Sequence, residues 1–279
     1  MEAKKEEFII TREWLEEMGA LESGLQNFKK HFPNGGEALE VLKRCEELNL
    51  GLGSWLVDFL PPIYPPLELN DLIGDLFYPN DVHIKGDLST QGLIYIKGNL
   101  KVDGKLTVNK YGNIYSDKGC VNADEIYISG DASIHHTQIK ANSIIISGYA
   151  VIVGDTKAKV INFKGGHING DVDANEIIND GGLIVGDVKT IRIENIKDGQ
   201  INGDVDADEI INDSGVIQRD VKTIKIENIN GGQIWGDVDA DEIINEGEIE
   251  GDVNTIKIEC INSGEVYGKI TYKHSDEHK

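Results

Sequence analysis

The sequence predicts an all-β solenoid of about 16–17 residues per coil, preceded by a small α-helical domain. Three observations carry this. The acidic decapeptide "GDVDADEIIN" stands at 203–212 and again at 236–245, and "GDVDANEIIN" stands at 170–179. Each 33-residue unit contains two similar halves, "INGDVDANEIIN" and "IVGDVKTIRIEN". Taking Gly170 as the mark, equivalents fall at Gly186, Gly203, Arg219, Gly236, Gly251 and Gly268, in steps of 16, 17, 16, 17, 15 and 17. A period this short leaves no room for a strand with a full crossover helix, and it suits one turn of stacked short strands.

The chain divides into four parts by pattern. Residues 1–60 read as helical and as a capping or docking domain. Thr11 is placed to cap "REWLEEMGAL", and Leu21, Leu25 and Phe28 recur at helical spacing. "GGEALEVLKRCEELNLG" sets Leu39, Leu42 and Cys45 on one face, and Ser54 is placed to cap "WLVDFL". Trp14, Phe28, Leu42, Trp55 and Phe59 form the expected core. Residues 61–81 open with "PPIYPPLEL", which holds four of the six prolines, and read as a linker. Residues 82–272 read as the solenoid, and 273–279 as a polar tail. Ala123, Ala141 and Ala158 carry the coil series backwards at steps of 18, 17 and 16. Eleven or twelve coils at about 4.8 Å each predict a rod of about 55 Å.

The columns of equivalent residues specify the register. Val172, Val188, Val205, Val221, Val238 and Val253 form one aliphatic column, and Ile177, Ile193, Ile210, Ile226, Ile243 and Ile258 another. Both are expected inside. Glu176, Arg192, Glu209, Lys225, Glu242 and Lys257 alternate in sign. So do Asp173, Lys189, Asp206, Lys222 and Asp239, with Asn254 at the end. Alternation explains the doubled period, because like charges one strand apart repel and opposite charges attract by about 0.2–1 kcal/mol. Asn179, Asn195, Asn212, Asn228 and Asn245 predict an amide ladder at a corner, ended by Cys260 as a small buried residue. Asp171, Asp187, Asp204, Asp220, Asp237 and Asp252 carry one sign on successive coils. Asp after Gly fits a bond to its own turn backbone. The same column is also the candidate acidic interaction edge.

Composition bounds the function. The 27 Lys and Arg stand against 49 Asp and Glu, a net charge of −22. Residues 165–270 hold 24 acidic and 8 basic side chains, a net −16. Direct binding to nucleic-acid phosphates or to anionic membranes is not expected of such a chain. Nothing in the N-terminal residues reads as a signal peptide, and no run of apolar residues is long enough for a membrane helix. Cys45, Cys120 and Cys260 are widely spaced, which fits free thiols in a reducing cytosol. No cofactor, metal set or catalytic residue is expected. A phosphate loop, a GxSxG elbow, zinc spacing and the EF-hand pattern are all missing from the sequence. The six-residue period of hexapeptide acyltransferases is missing too. The pair His135-His136 interrupts a strand pattern and reads as a loop.

The iterated "GxIxGDVxAxxI" coils, as in "GQINGDVDADEI" and "GQIWGDVDADEI", resemble the bactofilin-type, polymer-forming β-helix proteins over roughly 82–270. The resemblance implies a right-handed, triangular parallel β-helix that is cytoplasmic, cofactor-free and assembles end to end. The helical block departs from that pattern, because a covered end cannot stack. The expectation is a scaffold that pairs with itself through the C-terminal solenoid edge. The alternative is an acidic mimic of DNA that occupies a basic, DNA-binding protein, as phage or resistance factors do.

Overall fold

A computed structural model describes residues 7–48, 51–116 and 119–273. Four short helices come first: α1 (Arg12–Glu17), α2 (Glu22–His31), α3 (Ala38–Leu48) and α4 (Gly53–Phe59). After them the chain winds into a parallel β-solenoid of about 12 turns. Each turn lays one strand on each of three faces, and every strand pairs in parallel with its equivalent one turn away. One run of the first face reads Leu67, Val82 and Leu100, continuing through Val172, Val188, Val205, Val221, Val238 and Val253 to Ile270. The predicted register therefore holds residue for residue. Val205 and Ile210 are buried and Asp204 is exposed.

Two aliphatic columns and a third, through Ile184, Ile201, Ile217 and Ile234, fill the interior with branched side chains stacked on their own equivalents. At roughly 25 cal/mol per Å2 of apolar surface removed from water, each added turn contributes its own hydrophobic increment. Glycine marks the corner between the third face and the first on most coils. A Cβ on Gly203 would lie 1.9 Å from the Gly186 carbonyl oxygen, and one on Gly251 would lie 2.3 Å from that of Gly236. At these glycines the coils approach so closely that an added methyl meets backbone, whereas Arg219 and His136 fill the equivalent position on their own coils.

Several expectations are corrected. The solenoid begins at Leu67, inside the stretch read as a 61–81 linker. Leu67–Leu69 pairs with Val82–Ile84, and Leu76–Tyr78 pairs with Leu93–Ile96. These first coils step by 15 and 18 residues, off the 16–17 period, which hid them although Gly74-Asp75 and Gly86-Asp87 carry the Gly-Asp pair. The polar tail loses its first residue to the rod. The Lys273 N–H donates to the Thr255 carbonyl at 2.8 Å, and its Nζ sits 2.5 Å from Asp239 and 3.0 Å from Asp241. Residues 1–6 and 274–279 lie outside the described residues. In the helical block Thr11 does cap α1, accepting from the Trp14 N–H at 3.2 Å. Ser54 caps nothing, because α4 starts one residue earlier, after Leu52. Leu21 precedes α2 and is exposed, and Phe59 is also largely exposed, stacked on Trp55 at the block's surface. Cys260 is exposed, not buried, because no coil follows it among the described residues.

The helical block is docked on the first two turns. α3 and α4 meet Leu76–Tyr78, and α4 also meets Leu93–Ile96. The Glu46 carboxylate accepts from the Phe77 N–H at 2.8 Å, and burial raises its pKa. Tyr95 Oη donates to Asp58 at 2.8 Å, and Lys97 Nζ reaches the carbonyls of Asp58 and Leu60. Tyr78 Oη and Asn80 Nδ2 tie the proline segment down through the carbonyls of Pro65 and Tyr64.

Gly203→Ala is expected to lower stability by about 1–3 kcal/mol, because the new methyl overpacks against the backbone of the preceding coil. Urea unfolding checks it, and an unchanged midpoint contradicts the close approach.

Candidate functional site

The Asp171, Asp187, Asp204, Asp220, Asp237 and Asp252 side chains are brought together along one edge of the rod. Each is held by the next coil, not by its own turn. Asp171 Oδ1 accepts from the Asp187 N–H at 2.9 Å, Asp187 from Asp204 at 2.9 Å, and Asp204 from Asp220 at 3.2 Å. Asp220 accepts from Asp237 at 2.9 Å, Asp237 from Asp252 at 2.7 Å, and Asp252 from the Lys269 N–H at 2.7 Å. The column is thus a ladder that satisfies backbone donors left free at the corner. That bond offsets the repulsion of carboxylates stacked one strand apart. The device begins earlier than the repeat, since Asp81 on the same corner accepts from the Asn99 N–H at 2.7 Å, and Asp71 and Asp87 use it at a neighbouring corner.

This ladder forms one wall of a groove of about 730 Å3 that runs along the rod. The valine column from Val172 to Val253 lies at its base. The alternating column is the other wall, with Lys157, Asp173, Lys189, Asp206, Lys222 and Asp239 in turn. Lys157 Nζ sits 2.5 Å from Asp173. Ten aspartates line the groove against three lysines, so its field is negative along its whole length. Chemically it attracts extended cations and repels phosphate.

The remaining predicted residues lie elsewhere. Asn179, Asn195, Asn212, Asn228 and Asn245 are fully buried at another corner. Each amide donates to the Oδ1 of the next, at 2.7, 2.8, 2.7 and 2.8 Å, and Asn245 Nδ2 ends on the Glu265 carbonyl at 3.0 Å. Glu176, Arg192, Glu209, Lys225, Glu242 and Lys257 stand in register as expected. Only Arg192 makes a close ion pair across coils, at 2.6 Å to Glu209. Lys225 turns instead to Glu227 at 2.6 Å and Lys257 to Glu259 at 2.9 Å, each two residues along its own strand. The coil-to-coil pairing is therefore weaker than the sequence alternation implies. These pairs are exposed enough that each is worth about 0–1 kcal/mol.

His135 and His136 are in a strand, Ser133–Asn169, and not in a loop. His135 faces outward and stacks on Tyr115 with ring centroids 4.5 Å apart. His136 faces inward at the corner, its Nδ1 3.2 Å from the Gly119 carbonyl and its Nε2 without a partner. Burial pushes its pKa down to about 4. No pattern announces this, because the imidazole stands at an inward corner position that holds Ser116 on the coil before and Gly154 on the coil after. Cys45 is buried, with its thiol pushed up to about 11 by burial. No group of three or more His, Cys, Asp or Glu among the described residues is arranged to hold a metal ion. No described helix is long and apolar enough to cross a membrane.

Neither a family model, nor a curated protein, nor a solved structure matches this chain.

Two outcomes follow from the groove and the histidine. Asp204→Asn keeps an acceptor for the Asp220 N–H and removes one stacked charge. It should leave stability unchanged or raise it slightly at low salt, whereas Asp204→Ala should cost about 1 kcal/mol. Chemical denaturation of the pair at two salt concentrations checks this, and equal losses in both variants contradict the ladder. His136 has a folded pKa below its unfolded value near 6.5. The unfolded chain therefore binds the extra proton first as pH falls, so the His136 contribution is complete above about pH 6.5. It is lost progressively down to about 4, by about 3 kcal/mol in all. His136→Gln should remove that part of the pH dependence in matched thermal melts, and superimposable pH profiles contradict it.

Proposed function

We propose that the chain is a non-catalytic β-solenoid scaffold, bactofilin-like in its coils, that pairs with a second copy of itself through the C-terminal edge. One observation carries this reading: the buried asparagine ladder and the aspartate ladder run coil to coil up to the last turn, where they stop. Asn245 has Cys260 opposite it in place of a sixth asparagine. Among the described residues, Lys257–Cys260 has no strand on its outer side, and Ile270–Tyr272 pairs on one side only. Ile261, Tyr267 and Tyr272 are exposed there, whereas Ile243 is buried one coil inward. A free parallel edge with apolar side chains is a template for another chain. Two identical edges close on a twofold axis, and the docked helices at the other end oppose growth into a filament. The acids support a structural role, since they are spread along ladders and bonded to backbone. Three unpaired thiols fit a reducing, cytoplasmic setting.

Sedimentation of the full-length chain over a concentration series tests the reading. A monomer–dimer equilibrium is expected, and Ile261→Glu should shift it to monomer. A strictly monomeric parent at high concentration rejects self-pairing.

The acidic groove favours a second reading, in which a basic, DNA-binding protein occupies it. The wall from Asp171 to Asp252 alone presents one carboxylate per coil, about one per 4.8 Å of rod, and Asp173, Asp206 and Asp239 add to it from the opposite wall. The three lysines of the opposite wall weaken the likeness to DNA, which carries a charge about every 1.7 Å. Recovery of nucleic-acid-binding proteins from lysate, lost at high salt, would favour this reading over the first.

A further inference from the structure

The third face of the rod lacks what every other surface has. Its inward residue is the isoleucine of Gly-x-Ile-x-Gly, as at 182–186, 199–203 and 232–236, and the two x positions point outward. From Leu93 and Tyr95 on one turn to Gln233 and Trp235 many turns later, no outward position on this face among the described residues is Asp, Glu, Lys or Arg, and His135 and His167 are its two imidazoles. The chain is 27% charged, so a charge-free run of that length is not a product of chance. Charge returns only at Glu248 and Glu250. Glycines border most of the strip on both sides, and Arg219 stands at its margin in place of one of them.

The start of the strip is already covered. Phe77, in register with Tyr95, is buried under α4, so close that a Cβ on Gly53 would lie 2.4 Å from its ring. Where the helices end, the composition changes. Asn113, Asn169, Gln200, Asn202, Gln218 and Gln233 now alternate with aliphatics such as Val151, Leu183 and Val216. Tyr115 and Trp235 stand near the two ends, and Trp235 is 46% exposed. Asn202 Oδ1 is shielded from solvent and has no hydrogen-bond partner.

We propose that this strip binds a neutral polysaccharide, an uncharged hydroxyl-bearing chain lying along the rod axis over about 40 Å. Basic proteins and nucleic acids find no charge to engage here, although the groove on the neighbouring edge is strongly acidic. An apolar helix of the kind that covers Phe77 would bury amides against carbon, which costs free energy for every unpaired group. A second copy would set amide columns against amide columns, where donors and acceptors match in few registers. A hydroxyl both donates and accepts, so it satisfies an amide in either orientation. The C–H faces of sugar rings pack on Trp235 and on the aliphatic side chains between the amides. This proposal does not depend on the C-terminal edge.

Affinity electrophoresis of the full-length chain through native gels containing hydroxyethylcellulose, laminarin, xyloglucan or soluble starch tests it, with alginate as the acidic control. At least one neutral polymer is expected to retard the chain, equally at low and high salt, while alginate does not. Trp235→Ala and Gln200→Glu should each weaken that retardation by about tenfold, a loss of one aromatic or amide contact. Both side chains point outward, and matched melting curves show that the fold is intact. Glu209→Gln, on another face, should retain full binding. No retardation by any of the neutral polymers overturns the proposal, and so does retardation that neither variant changes. A dimer of the parent that both variants convert to monomer in sedimentation also overturns it, since the strip then holds a second copy.

Discussion

In this rod every side chain has its own equivalent as nearest neighbour, one strand spacing away along the axis. Parallel pairing in register imposes that condition at every position, and the rest of the structure is a set of answers to it. Branched aliphatics accept the condition at once, which is why Val172 to Val253 and Ile177 to Ile243 fill the interior. Amides accept it because one end donates and the other accepts, and the buried asparagines form an unbroken chain of short bonds. Charges do not accept it unaided, and the molecule treats them in three ways.

On one face the sign alternates from coil to coil, as Glu176, Arg192 and Glu209 show. At the corner after each glycine the sign is constant, and each carboxylate is held by the N–H of the coil beyond it. On the third face Asp, Glu, Lys and Arg are left out of the described outward positions from Leu93 to Trp235. These arrangements give the rod three chemically distinct surfaces on one repeated backbone. An acidic groove and a strip without carboxylates, lysines or arginines lie on either side of the same glycine column.

Much of this was legible in the sequence because a residue that recurs at a fixed step declares its column. The Val, Ile and Asn columns were readable in that way, and so was the alternation of Glu with Arg and Lys. The parts that escaped lack recurrence or depend on direction. Leu67–Tyr78 forms the first coil at irregular steps, so its Gly74-Asp75 stood outside the recurring series. The Asp ladder was visible as a column, but whether a carboxylate bonds its own turn or the next is a matter of a few ångströms that no pattern encodes. His136 sits inside because its coil leaves room for an imidazole, and nothing in its neighbours announces this. The uncharged strip is legible only by what is absent, once the structure shows which x of Gly-x-Ile-x-Gly faces outward.

The alternating column also restricts how such a chain can change length during descent. Excising a single coil between Glu176 and Glu209 would bring two glutamates face to face, and Asp173 against Asp206, at the junction. Excising or copying two coils together restores the sequence of signs, joins asparagine to asparagine and leaves the glycine corner closed. The rod is therefore editable in pairs of turns and resistant to editing in single ones. The 33-residue spacing of its decapeptides is the size of the piece that a recombination event can add or remove without penalty.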